Sequence, residues 1–88
     1  MKNNHDLNCE IIEEVLNIRF RNSDDGYRIA NLRGDIKFIV DLYPLTGEKE
    51  IVLMERQTIN NCLNDVTINN FSSDTDNIKD FINLLTWQ

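Results

Sequence analysis

Eighty-eight residues make one domain, residues 1–88, near the lower limit for a chain that builds its own core. A 41% hydrophobic and 27% charged composition is ordinary for a globular protein and argues against disorder over most of the chain. The formal net charge of -6 and a pI near 4.5 disfavour direct DNA or RNA binding, because phosphate contacts dominate such affinity.

Residues 5–16 read as an amphipathic helix. At 100° per residue Leu7, Ile11, Ile12 and Val15 share one arc, with Leu16 at its margin, and this arc is expected to face the core. Asp6, Glu10, Glu13 and Glu14 fall on the opposite arc of a segment, residues 5–16, that contains no lysine or arginine. Asp6–Glu10 and Glu10–Glu14 are like-charge pairs one turn apart, each costing a few tenths of a kcal/mol. A solvated face explains the early acids through the helix dipole, but not Glu13 and Glu14 near the far end.

Ile18–Asn22 then switches to alternation, with Ile18 and Phe20 inward and Arg19 and Arg21 outward. Ser23-Asp24-Asp25-Gly26 is a turn, and Tyr27–Arg33, which contains Arg28, returns as a second strand. An even loop sets Phe20 opposite Ile29; an odd loop sets Phe20 opposite Ala30. The pattern does not choose between them. Gly34 marks the next turn.

Asp35–Tyr43 is the stretch around which the sheet is expected to form. Ile36, Phe38, Val40 and Leu42 alternate with Lys37, Ile39, Asp41 and Tyr43, which argues for a strand with the first set in the core. The second set keeps Ile39 and Tyr43, so an interior strand with a partner surface at those two residues is expected. Tyr43-Pro44-Leu45-Thr46-Gly47 closes it. Glu50–Gln57 is the fourth strand, and its run Ile51–Met54 suggests burial on both faces, or on one face plus a partner contact. Residues 58–72 are punctuated by Asn60-Asn61, Asn64-Asp65 and Asn69-Asn70, with room for a short fifth strand about Val66 and Ile68. Ser72–Asp76 supplies capping residues, and Ile78, Phe81, Ile82 and Leu85 follow the i, i+3, i+4, i+7 rule of a second core-facing helix. Trp87 is expected to act as a lid at its end. The fold class is therefore α+β: an α-β-β-β-β-α chain forming an antiparallel four- to five-stranded meander, both helices on one face.

No catalytic constellation emerges. A single histidine, His5, leaves a Ser-His-Asp arrangement dependent on a residue near the terminus. His5 and Cys9 stand one helical turn apart, a spacing two metal ligands can use, but no second ligand pair accompanies them. Neither a metal site nor a cofactor is expected. Cys9 and Cys62 read as reduced thiols, and with no apolar run of membrane-spanning length the chain is expected to be cytoplasmic.

Charge segregation is the remaining signal. Residues 17–33 carry Arg19, Arg21, Arg28 and Arg33 against Asp24 and Asp25, while both helical segments are net negative. The expectation is a non-catalytic acidic binding protein whose helix acids Asp6, Glu10, Glu13 and Glu14 meet the basic surface of a nucleic-acid-binding protein. In length, acidity and lack of motifs the chain resembles small phage or mobile-element inhibitors such as anti-CRISPR and anti-restriction proteins; no specific motif carries that resemblance. Two alternatives stand beside it. One is an antitoxin-like, immunity-like or homodimeric module using Ile39, Tyr43 and a strand edge. The other is a nucleic-acid binder through Arg19, Arg21 and Arg28, against which the net charge argues.

Overall fold

The computed structural model describes residues 3–32, 36–74 and 76–86. Helix α1 spans Asn4–Leu16, followed by strands β1 (Arg21–Asn22), β2 (Arg28–Asn31) and β3 (Lys37–Asp41). A single helical turn, α2 (Tyr43–Thr46), leads into β4 (Glu50–Ile59) and β5 (Cys62–Ser72), and α3 (Ile78–Thr86) completes the described chain. The five strands form one antiparallel meander in the order β1-β2-β3-β4-β5. Both terminal helices cover the same face, where Cys9, Ile12, Phe81 and Leu85 pack with Ala30, Ile39, Ile51, Leu53 and Phe71. The α+β meander expected from the sequence is the observed architecture. No described helix is long and apolar enough to cross a membrane.

Helix α1 begins where the Asn3 side chain accepts the Asp6 N–H at 2.8 Å, and it stops at Asn17, which takes a left-handed φ of 54°. Its buried side differs from the arc that hydrophobicity alone selects. His5, Cys9 and Ile12 face the sheet, while Leu7, Ile11 and Val15 are 45%, 39% and 56% exposed. The helix has turned by roughly a quarter of a revolution, because polar partners under its first turns hold His5 and Cys9 inside.

β1 is shorter than expected. Glu13 reaches from α1 to accept the Phe20 N–H at 2.9 Å, so the ladder starts only at Arg21. Arg21 pairs with Ile29 and Asn22 with Arg28, which resolves the hairpin to the odd register and puts Phe20 level with Ala30. The turn at Arg33-Gly34-Asp35 and the Trp87 lid lie outside the described residues.

β3 is the interior strand the sequence announces, but its faces are exchanged. Ile39 and Asp41 lie on the helix-covered side, whereas Phe38 and Val40 are buried on the other side together with Val52, and Ile36 is exposed. Alternation could not tell the two apart, since both sets of residues are removed from water. The expected double burial of β4 holds for Ile51, Val52 and Leu53.

The asparagine-rich stretch, expected to hold only a short strand, is an 11-residue strand. Asn60 and Asn61 both adopt left-handed φ, 53° and 65°, and form a two-residue type I′ connection whose twist matches the strands it joins. Leu53 pairs with Asn69 but Met54 with Thr67, so Ile68 is an extra residue that bulges out of the ladder. β3 ends its pairing at Glu55, so the tip of the β4–β5 hairpin projects past the rest of the sheet and gives the molecule a long dimension of 46 Å. At the start of α3 the cap is Asn77, whose side chain accepts the Lys79 N–H at 2.9 Å; Asp76 instead turns back to the Ser72 N–H.

Candidate functional site

The chemistry-bearing side chains that the fold gathers lie beneath α1. His5 and Cys9 point from consecutive turns toward the last residue of β3, Asp41. Across the ladder Asp41 is paired with Arg28, the first residue of β2. The Asp41 carboxylate is almost completely buried and accepts from four directions. Arg28 Nε and one Arg28 terminal nitrogen reach Oδ2 at 2.8 and 2.6 Å, His5 Nε2 reaches Oδ1 at 2.8 Å, and the Tyr43 N–H reaches Oδ1 at 3.0 Å. Pro44 and the left-handed Gly47 hold α2 so that the Tyr43 N–H points back at the strand, and the Tyr43 ring lies 4.9 Å from the His5 ring.

On its other side His5 Nδ1 sits 2.7 Å from Ser73 Oγ. The Ser73 hydroxyl has a second partner in the Lys49 carbonyl at 3.0 Å, and the same carbonyl accepts the Ser73 N–H at 3.0 Å. Asn8 ties the helix to the same corner by donating to the Ser73 carbonyl at 2.8 Å. An ionised carboxylate only accepts, so Nε2 carries a proton toward Asp41, and the ring's tautomer sets which way the Nδ1–Ser73 Oγ bond runs. Lys49 O keeps the backbone donor either way. Every buried side-chain polar atom described has a partner.

The Cys9 thiol completes the cluster, 3.6 Å from His5 Nε2 and 3.9 Å from Asp41 Oδ2. Burial, and after it the charge of Asp41, pushes this thiol from an ordinary 9.0 up to about 12. Arg28 is held above its ordinary value: burial works against the charge, but the bond to Asp41 and its field more than offset that. The Phe20 ring, 5.0 Å from the guanidinium carbon, covers it further.

The raised thiol has a consequence for alkaline stability. Between about pH 9 and 12 the unfolded chain loses the Cys9 proton while the folded chain keeps it. The stabilisation is therefore complete below pH 9 and is lost as pH rises through that window, at a slope approaching about 1.4 kcal/mol per pH unit. Urea melts from pH 8 to 11 with a chelator present should show a steeper fall for the natural chain than for Cys9→Ser. Parallel slopes would refute the burial of this thiol. Exposed Cys62, by contrast, should react at once with a thiol reagent.

Serine, histidine and aspartate thus stand in a connected row, as in hydrolytic triads, but Ser73 and His5 are 2% and 0% exposed, so a substrate cannot touch either without the corner opening. Three of these residues offer a different chemistry. His5 Nε2, Cys9 Sγ and an Asp41 oxygen all lie within 4.8 Å of one another, and this is the one such group of potential metal ligands among the described residues. The His5–Cys9 spacing is visible in the sequence. Asp41 is marked only as an acid at the end of a mostly apolar strand, and nothing in the sequence marks Ser73.

The residues expected to meet a partner are dispersed. Glu10 and Glu14 are exposed on the outer side of α1, whereas Asp6 and Glu13 are half-buried, with Glu13 occupied by the Phe20 N–H. Asp6, Glu10 and Glu13 instead rim a concavity of about 250 Å³ with Cys9 and Arg28. Arg19 is exposed at the edge of a neighbouring hollow beside Glu10, Glu13 and Glu14. Arg21 is exposed and donates to the Asn31 side chain at 2.8 Å, whereas Arg28 is half-buried and committed to Asp41. Ile39 is fully buried in the helix-covered core and offers no surface to a partner, while Tyr43 is half-buried over His5. No protein-family model, curated protein or solved structure matches the chain.

Proposed function

We propose that this chain is a non-catalytic binding module that lays the outer side of α1 into the basic groove of a nucleic-acid-handling protein and so inhibits it, as anti-defence proteins of phages and mobile elements do. The rotation of α1 carries this reading. With His5, Cys9 and Ile12 turned inward, a ridge of Leu7, Ile11 and Val15 is left in water directly beside Glu10 and Glu14. An apolar ridge at one-turn spacing is the usual form of a helix that docks in a groove. Its acidic flank selects a basic groove, speeds encounter and repels acidic competitors. The four helix acids span about 12 Å at 1.5 Å per residue, a charge density near the ~3.4 Å spacing along one DNA strand. Because Glu13 and Asp6 are turned aside, that match is coarse, and the apolar ridge must supply most of the affinity.

The test begins with capture by the full chain from a lysate of its source, followed by measurement of the captured protein's nucleic-acid binding. The chain should compete with nucleic acid. The triple variant Glu10→Gln, Glu14→Gln, Ile11→Ser should compete at least tenfold less well and with a flatter salt dependence, while its melting temperature stays level or rises. Failure to compete, or equal competition by the variant, refutes the reading.

A second reading, a homodimeric or regulatory module, draws on one observation. Ile59, Leu63 and Ile68 are exposed on the projecting β4–β5 hairpin, Leu63 at 71%. Light scattering of the natural chain and of Leu63→Glu separates the two: a dimer abolished by the charge favours this reading, a monomer in both refutes it.

A further inference from the structure

We propose that His5, Cys9 and Asp41 are three ligands of a site for one thiophilic divalent cation of zinc type, entered through the acidic concavity beside α1. The donor set points to that class. Imidazole nitrogen, thiolate sulfur and carboxylate oxygen together suit zinc, whereas calcium and magnesium call for oxygens alone.

The geometry is close to what such an ion needs. Bond lengths of about 2.3 Å to sulfur and about 2.0–2.1 Å to nitrogen or oxygen, at tetrahedral angles, require N···S and O···S edges of about 3.6 Å and an N···O edge of about 3.3 Å. Cys9 Sγ stands 3.6 Å from His5 Nε2 and 3.9 Å from Asp41 Oδ2. His5 Nε2 lies 2.8 Å from the other carboxylate oxygen, Oδ1, with a proton between them, so the carboxylate has to turn and open that contact for one of its oxygens to meet both the ion and its two partner ligands, the three donor atoms now standing within 4.8 Å of one another.

The surroundings supply what a ligand set requires. His5 and Cys9 lie on consecutive turns of α1 and Asp41 sits on the sheet beneath, so all three start from rigid elements. Arg28 and the Tyr43 N–H orient the carboxylate, and Ser73 orients the ring through its other nitrogen, which is the role of outer groups around protein-bound metals.

The proton inventory also closes. Binding breaks the Cys9 S–H bond and forms a metal–sulfur bond, and that proton leaves to solvent. The ring proton moves from Nε2 to Nδ1, where it is donated to Ser73 Oγ. The serine hydroxyl then turns to the Lys49 carbonyl, already 3.0 Å away, so no polar atom is orphaned. Thiolate and carboxylate neutralise the two positive charges of the ion, and Arg28 keeps Asp6, Glu10 and Glu13 about it. Those acids rim the concavity of about 250 Å³ that Cys9 and Arg28 also line, which gives a cation a route inward and leaves the fourth position to water.

Cobalt(II) is the probe, because its thiolate complexes absorb in the near ultraviolet. The full chain, stripped by a chelator and reduced, is titrated with cobalt(II) and then with zinc(II). The expected result is a thiolate-to-cobalt band saturating at one ion per chain, one proton released per ion, and displacement of cobalt by zinc with a higher melting temperature. Cys62→Ser should keep every signal, Cys9→Ser should lose the band, and Ser73→Ala should weaken zinc binding about 10–100-fold. Because Cys9→Ser can also fail by unfolding, the natural chain decides independently. No band and no zinc-dependent melting shift in the natural chain would overturn the proposal, as would a band that disappears in Cys62→Ser.

Discussion

Asp41→Ala is expected to leave the chain largely unfolded at room temperature. The substitution removes the one acceptor shared by Arg28, His5 and the Tyr43 N–H. Breaking a buried ion pair from one side costs about 3–5 kcal/mol, because the remaining charge stays in a poor solvent. Arg28 is 31% exposed and can turn partly to water, which pulls its share toward the lower figure. The stranded Tyr43 N–H and the His5 ring add about 1–3 kcal/mol. A domain of this length holds roughly 4–13 kcal/mol in all, so the loss consumes much or all of it. Asp41→Asn should fall between, since its oxygen can still accept from Tyr43 and His5 while its NH2 faces the guanidinium. Adding Arg28→Met to Asp41→Asn should recover part of the loss, because an apolar replacement leaves no buried charge unpaired. Urea midpoints at constant m-value read all three. A shift of less than about 1 kcal/mol for Asp41→Ala would mean that the corner beneath α1 is held by packing and not by this carboxylate.

The same corner marks where the sequence stops being legible. Helix α3 could be read directly, since Ile78, Phe81, Ile82 and Leu85 are periodic and Phe81 and Leu85 are buried. Helix α1 could be located but not oriented. A hydrophobicity scale ranks Leu7, Ile11 and Val15 above His5 and Cys9, yet two polar side chains with waiting partners outweigh three aliphatic ones without. Those partners lie 32 to 68 residues away, and no local pattern encodes them. The exchanged faces of β3 have the same origin: Asp41 faces the helices because His5 and Arg28 meet it there, and Ile39 follows by alternation. β5 was hidden for a different reason. Its asparagines have low strand propensity, and its ladder is set by the Asn60-Asn61 turn and by pairing with the strongly apolar β4. Of the candidate site, the sequence shows the His5–Cys9 spacing and the acid Asp41 in a mostly apolar strand, but carries no mark of Ser73.

Phe71→Ala and Phe81→Ala are expected to cost about 3–5 kcal/mol each, the largest losses expected from apolar side chains among the described residues. Phe71 stands on β5 opposite Ile51 and is 1% exposed; Phe81 comes down from α3, and the two rings stack at 4.8 Å and 20°. This contact fastens the last helix to the last strand, beside the β4–β5 ladder that holds the strand and the Leu85 contact that holds the helix. β5 pairs with β4 alone, and most of its outward side chains lie in water. Removing either ring therefore leaves a cavity and also loosens a whole element. The two losses should not add, because the double variant empties a single shared space, and the stacked pair carries about 0.5–1.5 kcal/mol of coupling beyond its buried area. Phe38→Ala is the comparison. Phe38 is buried on the other side of the sheet beneath the Arg56 guanidinium, 5.8 Å from the ring, and the flexible arginine stem can settle into the vacated space. Its cost should lie at the lower end of the same range. Thermal melts of the four variants rank these expectations, and hydrogen exchange of α3 adds the decisive reading. If Phe71→Ala leaves the α3 amides as protected as in the natural chain, relative to global stability, the aromatic stack is not what holds that helix to the sheet.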